Sequence, residues 1–216
     1  MRILASLAFV LLSCAGVQAA SQPAVNLLAD ESLAGWELIT TPAADLQQVC
    51  QWHGQGILLV NSGEPRGYLA TKANYANYTL HAEWRWTGQP GNSGVLVHIS
   101  SGPKDRVWPV CFQVQTKRGN VGDLLPMAGA TFAETLSTAP DAKTPQRNHT
   151  APDSEMPAGE WNSCEIQSVN GTLVVTINGV PQNRVSGCSV TSGRIGFQLE
   201  GTAFELRNVQ VTPLQP

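Results

Sequence analysis

Charge is scarce in this sequence: Asp, Glu, Lys and Arg make up 13% of its 216 residues, and the net charge is -3. No run of Lys or Arg is present, so nothing here would track a phosphate backbone, and nucleic acid is excluded as a partner. Helical apolar periodicity is almost absent, which argues against helical bundles and alternating β/α folds. No apolar run reaches the roughly 20 residues that a membrane-spanning helix needs. The short chemical motifs are missing too: there is no CxxC pair, HExxH, phosphate loop, EF-hand loop or Ser-His-Asp order. His53, His81, His98 and His149 are too dispersed to read as a zinc site. In place of charge the chain carries Thr, Ser, Asn, Gln and Gly, a common look for exported sugar-handling proteins.

What is present begins with an export pattern. Arg2 supplies a positive start, residues 3–12 form a short apolar run, and Val17-Gln18-Ala19 reads as a small-residue cleavage site. Residues 1–20 are therefore expected to be a signal peptide and residues 21–216 a single folded domain, periplasmic or extracellular. Leu11-Leu12-Ser13-Cys14 resembles a lipoprotein processing box, so a lipid anchor at Cys14 stands beside soluble release. Four cysteines follow the signal: Cys50, Cys111, Cys164 and Cys188. An oxidising compartment predicts two disulfides, with Cys164–Cys188 the preferred pair and buried free thiols the alternative.

Apolar residues alternate with period two through most of the chain. Strands are predicted over 56–61, 78–86, 94–99, 111–116, 161–169, 172–177, 194–199 and 203–212. Asn170-Gly171 and Asn178-Gly179 are hairpin signals. Many short strands without intervening helices predict an all-β antiparallel sandwich or barrel. Two stretches break the pattern. Residues 119–135 are irregular, with a helical turn expected near 132–136. Residues 137–159 form a long Pro-, Ala- and Thr-rich loop of the length that usually serves as a lid or a disordered excursion.

Strand parity sorts the candidate site residues. His81, Glu83 and Arg85 oppose Leu80, Ala82, Trp84 and Trp86. His98 opposes Val97, Gln113 and Gln115 oppose Phe112 and Val114, and Gln198 and Glu200 oppose Phe197 and Leu199. If these strands are neighbours, the polar residues form one floor; the alternative is a plain solvated sheet face. Trp108, in a loop entering the Gln113 strand, is either a stacking platform for a sugar ring or a packing residue.

Gly35-Trp36, Trp52–Leu58, Gly67-Tyr68-Leu69-Ala70-Thr71 and Tyr75–Arg85 are followed in order by Asn92-Ser93-Gly94-Val95, Glu160-Trp161-Asn162, Asn178-Gly179, Gly193–Gln198 and Arg207-Asn208-Val209. This series resembles the 3-keto-disaccharide hydrolase domain family, grouped with glycosyl hydrolases, over nearly the whole mature chain. The resemblance implies a concanavalin A-like jelly roll of two antiparallel sheets, with a ligand groove on the concave one and a carbohydrate as partner. It also implies action on glycosides oxidised to a ketone at C3. Glu83, Arg85, Asn92, Ser93, Gln115 and Gln198 stand at matching motif positions. The chain departs from the family pattern at Gln113-Val114-Gln115-Thr116-Lys117, at His98 and at Leu199-Glu200.

A C3 ketone acidifies the C2 proton, so a base can start an elimination that expels the C1 aglycone. Glu83, His98 and Glu200 are the expected catalytic groups, with Arg85 or Lys117 on the enolate oxygen. Asn92, Ser93, Trp108, Gln113, Gln115 and Gln198 are the expected substrate contacts. No cofactor is certain, and a divalent metal is an open option. Two-carboxylate glycoside hydrolysis by Glu83 and Glu200 and a non-catalytic carbohydrate-binding module are the alternative readings.

Overall fold

The computed structural model describes residues 22–61, 65–139 and 141–215. The expected signal peptide, Cys14 included, lies outside the described residues. The chain opens with β1 (Val25–Asn26), β2 (Trp36–Thr41) and a single helical turn, α1 (Leu46–Val49). Then come β3 (Cys50–Trp52), β4 (Leu58–Val60), β5 (Arg66–Thr71), β6 (Tyr78–Trp86), β7 (Gly94–Asp105), β8 (Trp108–Gln115) and β9 (Leu124–Met127). After a long connection follow β10 (Asn162–Val169), β11 (Thr172–Ile177), β12 (Val180–Val185), β13 (Arg194–Leu199) and β14 (Phe204–Pro213).

Local chemistry explains the boundaries. Asn170 and Gly171 have φ of 48° and 72°, and Asn178 and Gly179 have 49° and 79°. Two successive positive φ values make a primed two-residue turn, whose twist matches the strands it joins. At α1 the Asp45 carboxylate accepts from the N–H groups of Gln47 and Gln48, a cap typically worth about 1 kcal/mol. The helical turn expected at 132–136 is corrected: no helix forms there. Ala133 N–H instead donates to the Ser186 carbonyl, and Glu134 accepts from the Ser186 N–H and hydroxyl. Those contacts tie the segment to the end of β12, so its backbone bonds outward rather than to itself.

The strands form an all-β jelly-roll sandwich of two antiparallel sheets. One, with eight strands, runs β12-β11-β10-β6-β14-β4-β3, with β1 paired to β14; the other, with six, runs β2-β5-β13-β7-β8-β9. Between them lies the main core. Leu80, Ala82, Trp84 and Trp86 of β6 face Val95 and Val97 of β7, Phe112 and Val114 of β8, and Ile195, Phe197 and Leu199 of β13. A second apolar cluster sits on the outer face of the six-stranded sheet, built from Tyr68, Ala70, Leu96, Ile99, Val107, Trp108 and Cys111.

Parity misplaces one residue. His98 has φ of 55°, and the β7–β8 register shifts between Val97 and Ser101. A bulge inserts an extra residue and resets which side the following side chains take. His98 is thereby turned into the core, fully buried, while Ile99 takes the outer side with Leu96. Its Nδ1 is 2.9 Å from the Val190 carbonyl, its Nε2 is 2.8 Å from the Ser168 hydroxyl, and Tyr78 and Phe112 meet it edge-on. Burial lowers its pKa below the ordinary imidazole value.

The expectation of two disulfides is also corrected: all four cysteines are free and buried. Cys188 N–H bonds the carbonyl of Gly171 at one end of the β10–β11 hairpin, whereas Cys164 faces Ile177 at the other. Six residues of strand separate those ends, about 20 Å at ~3.3 Å per residue, far beyond disulfide reach. Cys111 belongs to the outer cluster, on the far side of its sheet from the other three. Burial pushes the Cys50 thiol up to about 12 and the Cys188 thiol up to about 11, and raises Cys111 and Cys164 as well. We expect four thiols to titrate in the denatured protein without reductant, and none to react promptly in the native protein at neutral pH. Loss of two thiols from unreduced, denatured protein would mean that a bridge forms despite this spacing.

Candidate functional site

The sequence candidates separate onto two exteriors. On the outer face of the eight-stranded sheet, β6 presents His81, Glu83 and Arg85, and each is committed to a neighbour. Glu83 does not pair with Arg85. It accepts from Arg207 Nε at 2.6 Å, Asn208 Nδ2 at 2.8 Å and His81 Nε2 at 3.3 Å. Arg85 Nε donates to Glu205 at 2.5 Å, and His53 meets the other oxygen of that carboxylate at 2.9 Å. Both guanidiniums lie over the Trp161 ring, Arg207 at 4.0 Å and Arg85 at 4.7 Å. His81 Nδ1 bonds Glu165. Burial works to raise the Glu83 pKa, but the bonds from Asn208, Arg207 and His81 outweigh it and hold the carboxyl below its ordinary value. The Glu165 bond, followed by burial acting against it, leaves His81 above its ordinary value.

Gln113 and Gln115 belong to the other sheet, and they face away from the first. The expectation that Glu83, Arg85 and His98 share a pocket with Gln113, Gln115, Gln198 and Glu200 is therefore corrected. Alternation along β6 told which side of the strand is polar, but not to which sheet the strand belongs.

On the outer face of the six-stranded sheet lies a cavity of about 740 Å³. Gln113, Gln115, Gln198 and Glu200 form its floor, with Asn92, Trp108 and Lys117 around them. Gln113 is the hub. Its Nε2 donates to Gln115 Oε1 and to Gln198 Oε1, each at 2.9 Å. Gln198 Nε2 passes the chain on to Glu200 Oε2 at 2.8 Å, and Asn92 Nδ2 reaches that same oxygen at 2.8 Å. Glu200 Oε1 faces Arg66 at 3.7 Å. Ser93 stands behind the floor, donating its hydroxyl to the Gln198 carbonyl at 2.7 Å. Gln113 Oε1 and Asn92 Oδ1 are buried and find no hydrogen-bond partner among the described residues. An orphaned buried acceptor is costly, and a ligand hydroxyl would relieve it.

A glycine makes the hub. Built onto Gly94, a Cβ would lie 2.6–2.7 Å from the Gln113 side chain, so only a hydrogen there lets Gln113 lie flat across β7. Trp108 is mostly buried in the outer apolar cluster and gives the cavity only an edge.

Sequence reasoning missed several residues of this site. Arg66, Arg106, Asn120, Lys143 and Gln146 also line the cavity. Asn120 and Gln146 are held by Asp123, whose Oδ2 accepts from both at 3.2 Å. Its Oδ1 takes the N–H of His149 at 2.7 Å and meets His149 Nδ1 at 2.6 Å. Asp123 is fully buried. It thus stitches residues 146–149 of the long loop to the turn before β9, bringing Lys143–Gln146 to the cavity's edge. The only signal was the loop's length, because its residues reach the cavity through contacts distant in sequence.

Among the described residues no group of three or more His, Cys, Asp or Glu could hold a metal ion. The oxygen donors in the cavity are side-chain amides and the carboxylates of Asp105 and Glu200.

The sequence profile of the 3-keto-alpha-glucoside-1,2-lyase-like domain matches residues 23–212. Two crystal structures of candidate glycosyl hydrolases from Parabacteroides distasonis share the fold. One aligns with a TM-score of 0.63 at 18% identity, covering 89% of this chain and 100% of the other. The second aligns at 0.61 and 21% identity, covering 85% and 90%. The carbohydrate-binding module CBM66 of Bacillus subtilis aligns at 0.57 with 7% identity, covering 81% and 93%. No curated protein matches the sequence.

Two outcomes are expected. Gly94→Ala pushes Gln113 out of its bonds, costing about 1–3 kcal/mol and loosening the floor; thermal melts and ligand titration measure both. Glu83→Gln removes ion pairs on the opposite exterior and costs about 1–2 kcal/mol, with cavity binding unaffected. The pH profile separates the two groups there. The depressed Glu83 contributes stability above its unfolded value of 4.5 that is lost as pH falls through its folded value, so Glu83→Gln flattens the acid limb. The raised His81 contributes stability below 6.5 that is lost as pH rises through its folded value, so His81→Gln flattens the alkaline limb. Loss of cavity binding in Glu83→Gln would return that residue to the site.

Proposed function

The chain belongs to the 3-keto-alpha-glucoside-1,2-lyase-like domain family, and on that premise we propose that it is an exported enzyme cleaving glycosides whose sugar carries a ketone at C3. The observation that carries this reading is the mounting of Glu200. Gln198 and Asn92 immobilise one carboxylate oxygen, while the other faces the cavity beside Arg66. A base needs this arrangement: a fixed carboxylate with one oxygen open to the cavity.

The reaction follows from the chemistry of the ketone. Glu200 takes the C2 proton, and the released electron pair builds the enolate, its charge on the C3 oxygen. Arg66, beside Glu200, is the cation available to that oxygen. Collapse of the enolate restores the ketone, forms the C1–C2 double bond and expels the aglycone oxygen with the C1–O electrons. The proton held by Glu200 goes to the leaving oxygen. Water added later across C1–C2 gives the same products as hydrolysis. Gln113, Gln115 and Gln198 supply amides suited to sugar hydroxyls, and the unpartnered Gln113 oxygen awaits a donor. The pattern from Arg2 to Ala19 supports export.

The test is to offer 3-keto-glucosides and unmodified disaccharides side by side and measure aglycone release and binding. The wild type is expected to release aglycone from the 3-keto compounds, and Glu200→Gln to slow release by about 10²–10⁴ while still binding them. Release from unmodified disaccharides alone would mark an ordinary glycosidase, and binding without release from either class would mark a carbohydrate-binding module. Full activity in Glu200→Gln would remove that residue from the chemistry.

A further inference from the structure

Four cations surround the cavity, and they come from four separate segments. Arg66 opens β5, Arg106 caps the β7–β8 hairpin, Lys117 follows β8, and Lys143 lies on the long loop. Against them stand the carboxylates of Asp105 and Glu200. The cavity is thus net positive on a chain whose formal charge is -3, so the positive excess is local to this face. Arg106 is paired with Asp105 at 3.5 Å and Arg66 with Glu200 at 3.7 Å. Lys117 and Lys143 have no acidic partner among the described residues, and both are exposed. Surface lysines with no partner are ordinary, but here both belong to the lining of one concave site whose floor is three amides and the Glu200 carboxylate.

A cleft of one sign focuses its field and draws in ligands of the other. A neutral disaccharide arrives with no charge for that field to draw in. We propose that the glycoside bound here is acidic: a carboxylate or sulfate on the sugar unit remote from the reacting carbon is met by Lys117 and Lys143. The amide floor takes the hydroxyls of the reacting ring, and the two ammonium groups select the charged neighbour. This inference rests on the cavity being the carbohydrate site, and it names the substrate class that site prefers.

Three 3-keto disaccharides of one linkage test it, with glucose, glucuronic acid or glucose 6-sulfate as the second sugar. Aglycone release by the wild-type protein and binding to Glu200→Gln are both measured. The acidic ligands are expected to bind about 3- to 30-fold more tightly than the neutral one at low salt. That advantage should shrink when ionic strength rises past about 0.1 M, where the Debye length falls to ~10 Å. Whichever acid binds more tightly identifies the anion. Lys117→Gln and Lys143→Gln should each narrow the acidic-to-neutral ratio, and the double variant should bring it close to one. Equal affinity for the three ligands, or a ratio that survives the double variant, overturns the acidic preference and leaves 3-keto cleavage standing. Release from none of the three, with no binding, removes the carbohydrate site itself and this inference with it.

Discussion

A single apolar layer between two sheets is the constraint on which the rest of this structure depends. Trp84, Trp86, Phe112, Phe197 and Phe204 fill it, and burying such side chains is worth about 1.5–3 kcal/mol each. Every strand that contributes to the layer must turn its other side outward, and the two sheets turn outward in opposite directions. A chain with few charges therefore spends its polar residues on two exteriors that never meet. One becomes an ion-pair lattice, the other an amide-floored cavity.

The two exteriors differ in how their polar groups are satisfied. Around Trp161, Arg85 and Arg207 each find a carboxylate and a ring face, and Glu83 and Glu205 each accept from more than one partner. That lattice has little left over for a ligand. In the cavity the bonds run outward from Gln113 to Gln115 and through Gln198 to Glu200, and they leave Gln113 Oε1 and Asn92 Oδ1 without a partner among the described residues. A network closed on itself orders a sheet. An open network, backed by Ser93 and made room for by Gly94, is ready to take a ligand.

Reach across the chain completes the site. Asp123 is buried, yet the four bonds of its carboxylate link Asn120, Gln146 and His149, so the turn before β9 and the long loop form one edge of the cavity. The cations arrive the same way, from segments far apart in sequence. Net charge along the chain gives no hint of this, because the field of a cleft depends on which side chains share it.

The sequence by itself determined the all-β class, most of the long strands, the primed turns at Asn170-Gly171 and Asn178-Gly179, and the inward faces of β6, β8 and β13. Period-two alternation and positive-φ dipeptides are local properties, and burial of one strand face enforces them wherever the strand ends up. Gln113, Gln115, Gln198 and Glu200 were legible for that reason. Only the tertiary structure decided that Glu83 and Arg85 point the other way, since sheet membership is set by long-range pairing that alternation does not encode. It also turned His98 inward through one bulged residue, kept Cys164 and Cys188 at opposite ends of a hairpin, and brought Arg66, Lys143 and Gln146 to the cavity. Each of these depends on contacts between residues distant in the chain, and the pattern within a single strand carries no information about its neighbours.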